Sequence, residues 1–193
     1  PSRDYLLIGC EPPLRSEIRF LRSDRPFDDW TVFLPREGTH EYDVDHYGGW
    51  WWITSNEHAR NFRLMRTPVD TIDKAYWEEV VPHRDDVLFG GVVLFRQHMV
   101  AVERRDALRR LRVLDHDGRE LRTLEFRDEV YDAGLGTNLE PDLPSVRVQY
   151  SSMGMPPSTL EFDLMTGQRT TLKVQPVGAG FDASKYTTAR SEE

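Results

Sequence analysis

The sequence contains a single cysteine, Cys10, among its 193 residues, and one cysteine cannot form an internal disulfide bond. A chain without a disulfide framework fits a reducing compartment, so we expect a cytoplasmic protein. No apolar run approaches the roughly 18 residues that a membrane-spanning helix needs. Runs such as Trp50–Ile53 and Val92–Phe95 have the length of strands. The composition therefore predicts no membrane partner.

Basic charge is also scarce. The 25 Lys and Arg residues are outnumbered by 33 Asp and Glu residues, which gives a net charge of −8 at pH 7. Nucleic-acid binding relies on clustered basic residues that neutralise phosphates, so we expect no nucleic-acid partner. The most basic stretch, Arg104–Arg112, alternates Arg with Leu and Val and is interpreted as the solvated face of a pair of strands.

A repeat of short apolar strands and polar turns runs along the whole chain. The second strands of its copies begin at Tyr5, Trp50, Met99 and Val146, so the steps between copies are 45, 49 and 47 residues. Self-similarity of strands at this period is typical of a β-propeller with one blade per repeat. We therefore predict an all-β fold, a partial β-propeller of about four blades built from antiparallel strands.

The predicted blades start near residues 1, 41, 87 and 130, and the first copy lacks the strand that precedes the others. We accordingly expect the chain to begin in the middle of a blade and to be a fragment. Residues 1–175 are assigned to the partial propeller, and residues 176–193 to a segment leading towards a missing catalytic domain. An open propeller leaves unpaired sheet edges, so self-association through those edges is a further expectation.

Catalytic and metal-binding patterns are not found in the sequence. No serine stands in the Gly-x-Ser-x-Gly pattern of an α/β-hydrolase nucleophile. His40 and His46 flank three acidic residues, but on a strand with a rise of about 3.3 Å per residue their side chains lie roughly 20 Å apart and cannot share one ion. We therefore predict no catalytic residue, no metal site and no cofactor.

Three other features admit both a structural and a binding interpretation. The polar connection Ser55–Asn61 is expected to make hydrogen bonds between blades, since it offers His, Glu and Asn without an evident nucleophile. In the run Trp50–Trp52, alternation along a strand sends the middle ring to the opposite face, so at least one ring belongs to the core. A stand-alone module that binds a protein or carbohydrate through these rings and the rim loop Gly134–Pro144 remains the alternative function.

Several motifs together resemble the propeller of oligopeptidase B, a serine peptidase of the prolyl oligopeptidase superfamily. They occur in order over nearly the whole chain: Phe33–Arg36, His40–Tyr42, Asp45–Tyr47, Ser55–Asn56, Asn61–Phe62, Trp77–Glu79, Val102–Arg104, Tyr150–Met153, Asp163–Gly167 and Gly180–Tyr186.

This resemblance implies a seven-bladed propeller that caps an α/β-hydrolase domain, admits only short peptides, and belongs to an enzyme that cleaves after Arg or Lys. The expected partners are the catalytic domain of the same parent chain and short basic peptides. The family's catalytic residues lie beyond the end of this sequence, so this chain alone is expected to be inactive. Phe181, Asp182 and Tyr186 are predicted to form the interdomain hinge, because they resemble the segment where the family's chain leaves the propeller.

Overall fold

Strands dominate the computed structural model, which describes residues 3–10, 16–178, 182, 185 and 186. They form four separate antiparallel sheets, and in each sheet every strand is hydrogen-bonded to its neighbours in sequence. This arrangement confirms the all-β, antiparallel fold class predicted from the repeat.

The first sheet is a three-stranded meander, whereas each of the other sheets has four strands. Its strands are β1 (Tyr5–Cys10), β2 (Glu17–Arg22) and β3 (Thr31–Val32). Among the described residues, no strand precedes β1 in this sheet. The side chain of Cys10 lies outside the part of the chain that the structure describes.

The second sheet carries the tryptophan run. Its strands are β4 (Tyr42–Tyr47), β5 (Trp50–Ser55), β6 (Arg63–Pro68) and β7 (Glu78–Val81). The β4–β5 hairpin turns at Gly48 and Gly49, whose φ values of 63° and 80° are the positive values that a tight type I′ turn requires. A single 3-10 turn at Lys74–Tyr76 precedes β7.

The third and fourth sheets repeat the four-stranded meander. The third is built from β8 (Leu88–Leu94), β9 (Met99–Arg105), β10 (Leu108–Leu114) and β11 (Glu120–Thr123). The fourth is built from β12 (Tyr131–Leu135), β13 (Ser145–Ser152), β14 (Ser158–Asp163) and β15 (Arg169–Val174).

The loop after β12 is two residues shorter than the predicted Gly134–Pro144. Gly134 and Leu135 continue β12, where they pair with Gln149 and Val148 of β13. Ala133 of the same strand is fully buried in the core. The two residues after it continue the pairing, so that their backbone groups stay hydrogen-bonded to β13.

The chain divides into two compact units, residues 1–91 and 92–193, with the division inside β8. In the first unit, a cluster of buried side chains joins the first two sheets: Ile18, Phe33, Tyr42, Val44, Trp51, Ile53 and Met65. In the second unit, the core includes Val100, Leu111 and Val113 of the third sheet and Val148, Leu160 and Phe162 of the fourth. Each unit therefore packs two sheets around an apolar core of its own.

Candidate functional site

The tryptophan run places its middle ring in the core, as the alternation predicted. Trp51 is fully buried, and its ring centroid lies 4.7 Å from that of Tyr5, 5.0 Å from Phe20 and 5.5 Å from Phe33. Its indole N–H donates to the carbonyl of Val69 at 3.3 Å. Trp51 is therefore a structural residue of the first unit.

Trp50 and Trp52 share the other face of β5 with Arg66. The Arg66 guanidinium carbon lies 4.7 Å from the ring centroid of Trp50 and 6.0 Å from that of Trp52, so one cation contacts both rings. Trp52 is only 3% exposed, and Arg66 also pairs with Glu78 at 3.2 Å. These contacts within the chain occupy the surface that the carbohydrate-platform interpretation required.

The polar connection after β5 lines a cavity of about 310 Å³ together with residues 37–40 and Lys74. The ammonium of Lys74 donates to the carboxylate of Glu57 at 2.6 Å and lies 4.0 Å from that of Glu37. The pKa of Glu57 lies below its usual value. Burial acts to raise this pKa, but the hydrogen bond from Lys74 and the charge of Lys74 lower it by more. Both acidic side chains that line the cavity, Glu37 and Glu57, therefore lie within ion-pair distance of Lys74.

A serine–histidine contact lies beside this cavity, and the sequence interpretation missed it. The Nε2 atom of His40 is 2.8 Å from the hydroxyl oxygen of Ser55, which also accepts a hydrogen bond from the backbone N–H of Glu57. Ser55 is fully buried, so no substrate can reach its hydroxyl. Burial, together with the charge of Lys74, lowers the pKa of His40 and favours the neutral ring. The pair thus joins the end of β5 to the residues before β4.

The asparagines of the same connection hold backbone groups; the predicted bonding between blades is seen for Asn61, whereas Asn56 bonds residues that lead into β4 of its own sheet. The side-chain amide of Asn56 donates to the carbonyl of Thr39 and accepts from the N–H of Glu41. The side-chain amide of Asn61 donates to the carbonyls of Arg84 and Asp85, at 3.1 Å and 2.8 Å. Both side chains therefore anchor the segments that lead into neighbouring strands.

A second cavity of about 340 Å³, lined in part by Asp4, Tyr5 and His46, opens at the other end of β4. The ring of His46 is 5% exposed and lies 4.6 Å from Tyr5 and 5.0 Å from Trp51, between centroids. Its Nδ1 atom is 3.7 Å from the carboxylate of Asp4. Burial lowers the pKa of His46, and the charges of Asp4 and Asp45 only partly oppose this effect. The imidazole is thus held as a neutral ring inside an aromatic cluster.

This burial predicts a loss of stability in mild acid. Below the ordinary histidine pKa of 6.5, the unfolded chain binds a proton that folded His46 resists, so the free energy of unfolding falls as pH decreases. Each such proton lowers the free energy of unfolding by up to about 1.4 kcal/mol for every unit by which the pH decreases. His40 and His98, whose pKa values burial also lowers, act in the same direction.

Urea unfolding at pH 7.5, 6.5 and 5.5 measures this dependence. The His46→Gln variant should show a shallower decline than the parent chain, whereas replacement of the exposed His58 by glutamine serves as the control for loss of an imidazole. Equal slopes for His46→Gln and the parent chain would show that His46 does not resist protonation in the folded state.

The basic stretch contains a buried ion pair, which corrects its interpretation as a wholly solvated face. The side chain of Arg112 in β10 is 15% exposed, and that of its partner Glu103 in β9 is 2% exposed. The Nε atom of Arg112 donates to Glu103 at 2.9 Å, a second guanidinium nitrogen contacts the same carboxylate, and Nη1 bonds Glu120 at 2.9 Å. The guanidinium therefore bridges three strands of the third sheet.

The rim loop of residues 136–144 is anchored at both ends. The side-chain amide of Asn138 donates to the carbonyl of Arg147 and accepts from its N–H, at 3.0 Å and 2.8 Å. Further along, Arg96 pairs with Asp142 at 2.8 Å and its N–H donates to the carbonyl of Pro141. Leu139 projects from the loop with 69% of its surface exposed.

The predicted hinge residues lie at the end of the chain, and only two of them can be placed. Phe181 lies outside the described residues. Asp182 accepts a hydrogen bond from the N–H of Lys185 through its carbonyl, and its carboxylate is 3.8 Å from the Lys185 ammonium. Tyr186 is 54% exposed. Their role as a hinge stays a prediction.

Among the described residues, no group of three or more His, Cys, Asp or Glu side chains is placed to hold a metal ion. No helix within the described ranges has the length and apolar character needed to cross a membrane.

Comparison with known proteins identifies relatives over almost the full chain. Dipeptidyl aminopeptidase BI of Pseudoxanthomonas mexicana is 39% identical over 192 residues, which cover 98% of this chain and 26% of that protein. Protease 2 of Moraxella lacunata is 27% identical and is matched over 96% of this chain and 26% of its own length. The chain thus spans about a quarter of the length of these curated relatives.

Solved structures give the same result for the fold. The structure of oligopeptidase B from Leishmania major superposes with a TM-score of 0.86 at 27% identity, over 97% of this chain and 28% of that chain. Residues 1–175 match the family described as the prolyl oligopeptidase N-terminal β-propeller domain. The resemblance drawn from the sequence motifs is confirmed, and the chain belongs to this family of peptidase propeller domains.

Proposed function

We propose that this chain is the non-catalytic, size-filtering part of an oligopeptidase B-like serine peptidase that cleaves short peptides after Arg or Lys. The observation that carries the proposal is the match of residues 1–175 to the N-terminal propeller of prolyl oligopeptidases. The four antiparallel meander sheets agree with this match. Relatives named protease 2 and oligopeptidase B support a peptidase that acts on oligopeptides.

In this proposal the propeller acts by steric exclusion. The packed sheets of the propeller cover the α/β-hydrolase domain and block large substrates. Only short, extended peptides reach the active site. The net charge of −8 supports basic substrates, since an acidic surface raises the local concentration of cationic peptides. The chemistry of cleavage belongs to the hydrolase domain of the whole protein.

Release of dipeptides from peptide N-termini is a second candidate activity. It is favoured by the relative with 39% identity, whose name is dipeptidyl aminopeptidase BI. The two activities differ in whether the enzyme requires a free amino group two residues before the scissile bond.

Chromogenic peptides assayed with the whole protein test the proposal. N-terminally blocked substrates with Arg or Lys before the scissile bond should have kcat/KM values at least about a hundredfold above those of matched Glu substrates, because an oppositely charged pocket discriminates by several kcal/mol. A folded protein rich in Arg should resist cleavage, and the 193-residue chain alone should show no turnover.

The other outcomes separate the alternatives. Cleavage of unblocked dipeptide substrates without cleavage of blocked ones would establish the dipeptidyl activity instead. No turnover of any peptide by a folded whole protein would contradict both activities and favour the binding-module alternative.

A further inference from the structure

A cavity of about 200 Å³ opens within the second unit, where the β8–β9 turn, the end of the rim loop and the β14–β15 turn meet. Its inner wall is apolar, because Phe95 and Leu164 line it and are each 2% exposed. Leu143 and Met165 also line it, and exposures of 47% and 60% place them at its opening. This volume is below the roughly 300–1,000 Å³ of pockets for drug-sized ligands, so the cavity suits one small molecule with an apolar body.

Two opposite charges stand at the same opening. Arg96 and Asp142 both line the cavity, and their side chains are 70% and 63% exposed. The Nε atom of Arg96 donates to the carboxylate of Asp142 at 2.8 Å. Because an exposed ion pair of this kind contributes little to stability, a ligand that offers both charges can open it at small cost.

The other polar groups of the lining are uncharged at neutral pH. Gln97 supplies an amide. Burial, together with the charge of His116, lowers the pKa of His98 and favours the neutral ring. Arg96 is therefore the one cation and Asp142 the one anion among the described residues that line the cavity.

The walls of the cavity do not depend on the ion pair. The backbone N–H of Arg96 donates to the carbonyl of Pro141, and that of Leu164 donates to the carbonyl of Pro144, each at 2.8 Å. These bonds join the β8–β9 and β14–β15 turns to the rim loop. When the Arg96–Asp142 pair opens, the backbone stays in place, so a ligand does not have to order the loop.

We propose that this cavity binds a free apolar α-amino acid, with leucine as the representative ligand. The ligand's carboxylate replaces Asp142 at the guanidinium of Arg96, which binds carboxylates through two parallel N–H bonds. Its ammonium binds the carboxylate of Asp142, and its side chain enters the apolar part beside Phe95 and Leu164. One exposed ion pair is exchanged for two contacts between opposite charges, and the side chain leaves water.

Each part of this ligand matches one feature of the lining. An apolar molecule without charges gains nothing from the guanidinium and the carboxylate at the opening. A simple carboxylic acid draws Arg96 away and leaves Asp142 without a cation. The side chain of a partner protein brings neither of the two charges. The inference does not rest on the proposed function, because binding is measured without turnover.

Saturation-transfer difference NMR on the whole protein tests the proposal, since it detects weak binding of small ligands. L-leucine should bind with a Kd of about 1 mM, which lies within the usual range of binding free energy per ligand atom. N-acetyl-leucine lacks the ammonium and leucinamide lacks the carboxylate, so each should bind at least about tenfold more weakly. Glycine keeps both charges but lacks the side chain, and it should bind at least about tenfold more weakly too.

Two charge variants locate the site. Arg96→Ala and Asp142→Asn each remove one charge from the opening, and each should weaken leucine binding at least about tenfold. Because both side chains are largely exposed, the thermal unfolding of both variants should match that of the parent. Arg119→Ala is the matched control, since Arg119 is an exposed arginine of the β10–β11 turn that does not line the cavity. It should bind leucine as the parent does.

Three results would overturn the inference. Absence of saturation transfer to leucine at concentrations well above the expected Kd would show that the cavity does not bind it. Unchanged binding in both charge variants would place the ligand elsewhere, such as in the active site of the proposed peptidase. Binding of N-acetyl-leucinamide, which has neither charge, as strong as that of leucine would assign the cavity to an apolar side chain of a peptide.

Discussion

The Trp51→Ala variant should unfold with about 4 kcal/mol less free energy than the parent chain, since truncation of a buried tryptophan both loses its transfer free energy and leaves a cavity. Trp51 lies on β5 of the second sheet, is fully buried, and contacts the rings of Tyr5 and Phe20 in the first sheet and of Phe33 directly after β3. The loss should therefore fall on the packing of one sheet against the other.

Tryptophan fluorescence during urea unfolding measures this loss, because all five tryptophans lie within residues 1–91 and report on the first unit. Phe27→Ala is the control: Phe27 is 99% exposed, and its truncation should change the stability by less than about 0.5 kcal/mol. A Trp51→Ala variant as stable as the control would contradict the role of Trp51 as the centre of this core.

The Arg112→Met variant should lose about 3–5 kcal/mol, because it leaves the carboxylate of Glu103 buried without its cation. The side chain of Glu103 is 2% exposed, so water cannot replace the guanidinium. Glu120, the other carboxylate bound to Arg112, is 45% exposed, and Glu120→Gln should cost no more than about 1 kcal/mol.

A double variant separates the cost of an unpaired charge from the loss of packing. Glu103→Leu combined with Arg112→Met should recover most of the stability lost in Arg112→Met, since an apolar pair of similar volume often replaces a buried ion pair without loss. Circular dichroism during urea unfolding follows the second unit, which has no tryptophan. A double variant less stable than Arg112→Met would indicate that the two side chains act independently.

The repeat and the strand alternation were visible in the sequence because both depend on short-range chemistry. The period-two pattern of β5 predicted that Trp51 and its neighbours take opposite faces, and glycines at residues 48 and 49 marked the preceding turn. The β9–β10 turn carries no such mark. Its central residues, Asp106 and Ala107, adopt φ values of 51° and 64° without a glycine.

The pairs that the sequence interpretation missed are set by the register between strands. His40 meets Ser55 because β4 and β5 pair Tyr42 with Ser55, which brings the residues before β4 to the end of β5. Arg112 reaches Glu103 diagonally across β9 and β10, where Arg112 itself pairs with Ala101. A stretch in which Arg alternates with apolar residues looks like a solvated strand face until the register shows that Arg112 meets the buried carboxylate of Glu103.

The sequential order of the strands in each sheet has a consequence for biosynthesis. Every paired strand follows its partner directly in the sequence, so a sheet can form as soon as its last strand has left the ribosome. All residues of the Trp51 cluster precede residue 91. The first unit can therefore bury its aromatic core while the second unit is still being translated, which shortens the time that these rings are exposed to aggregation.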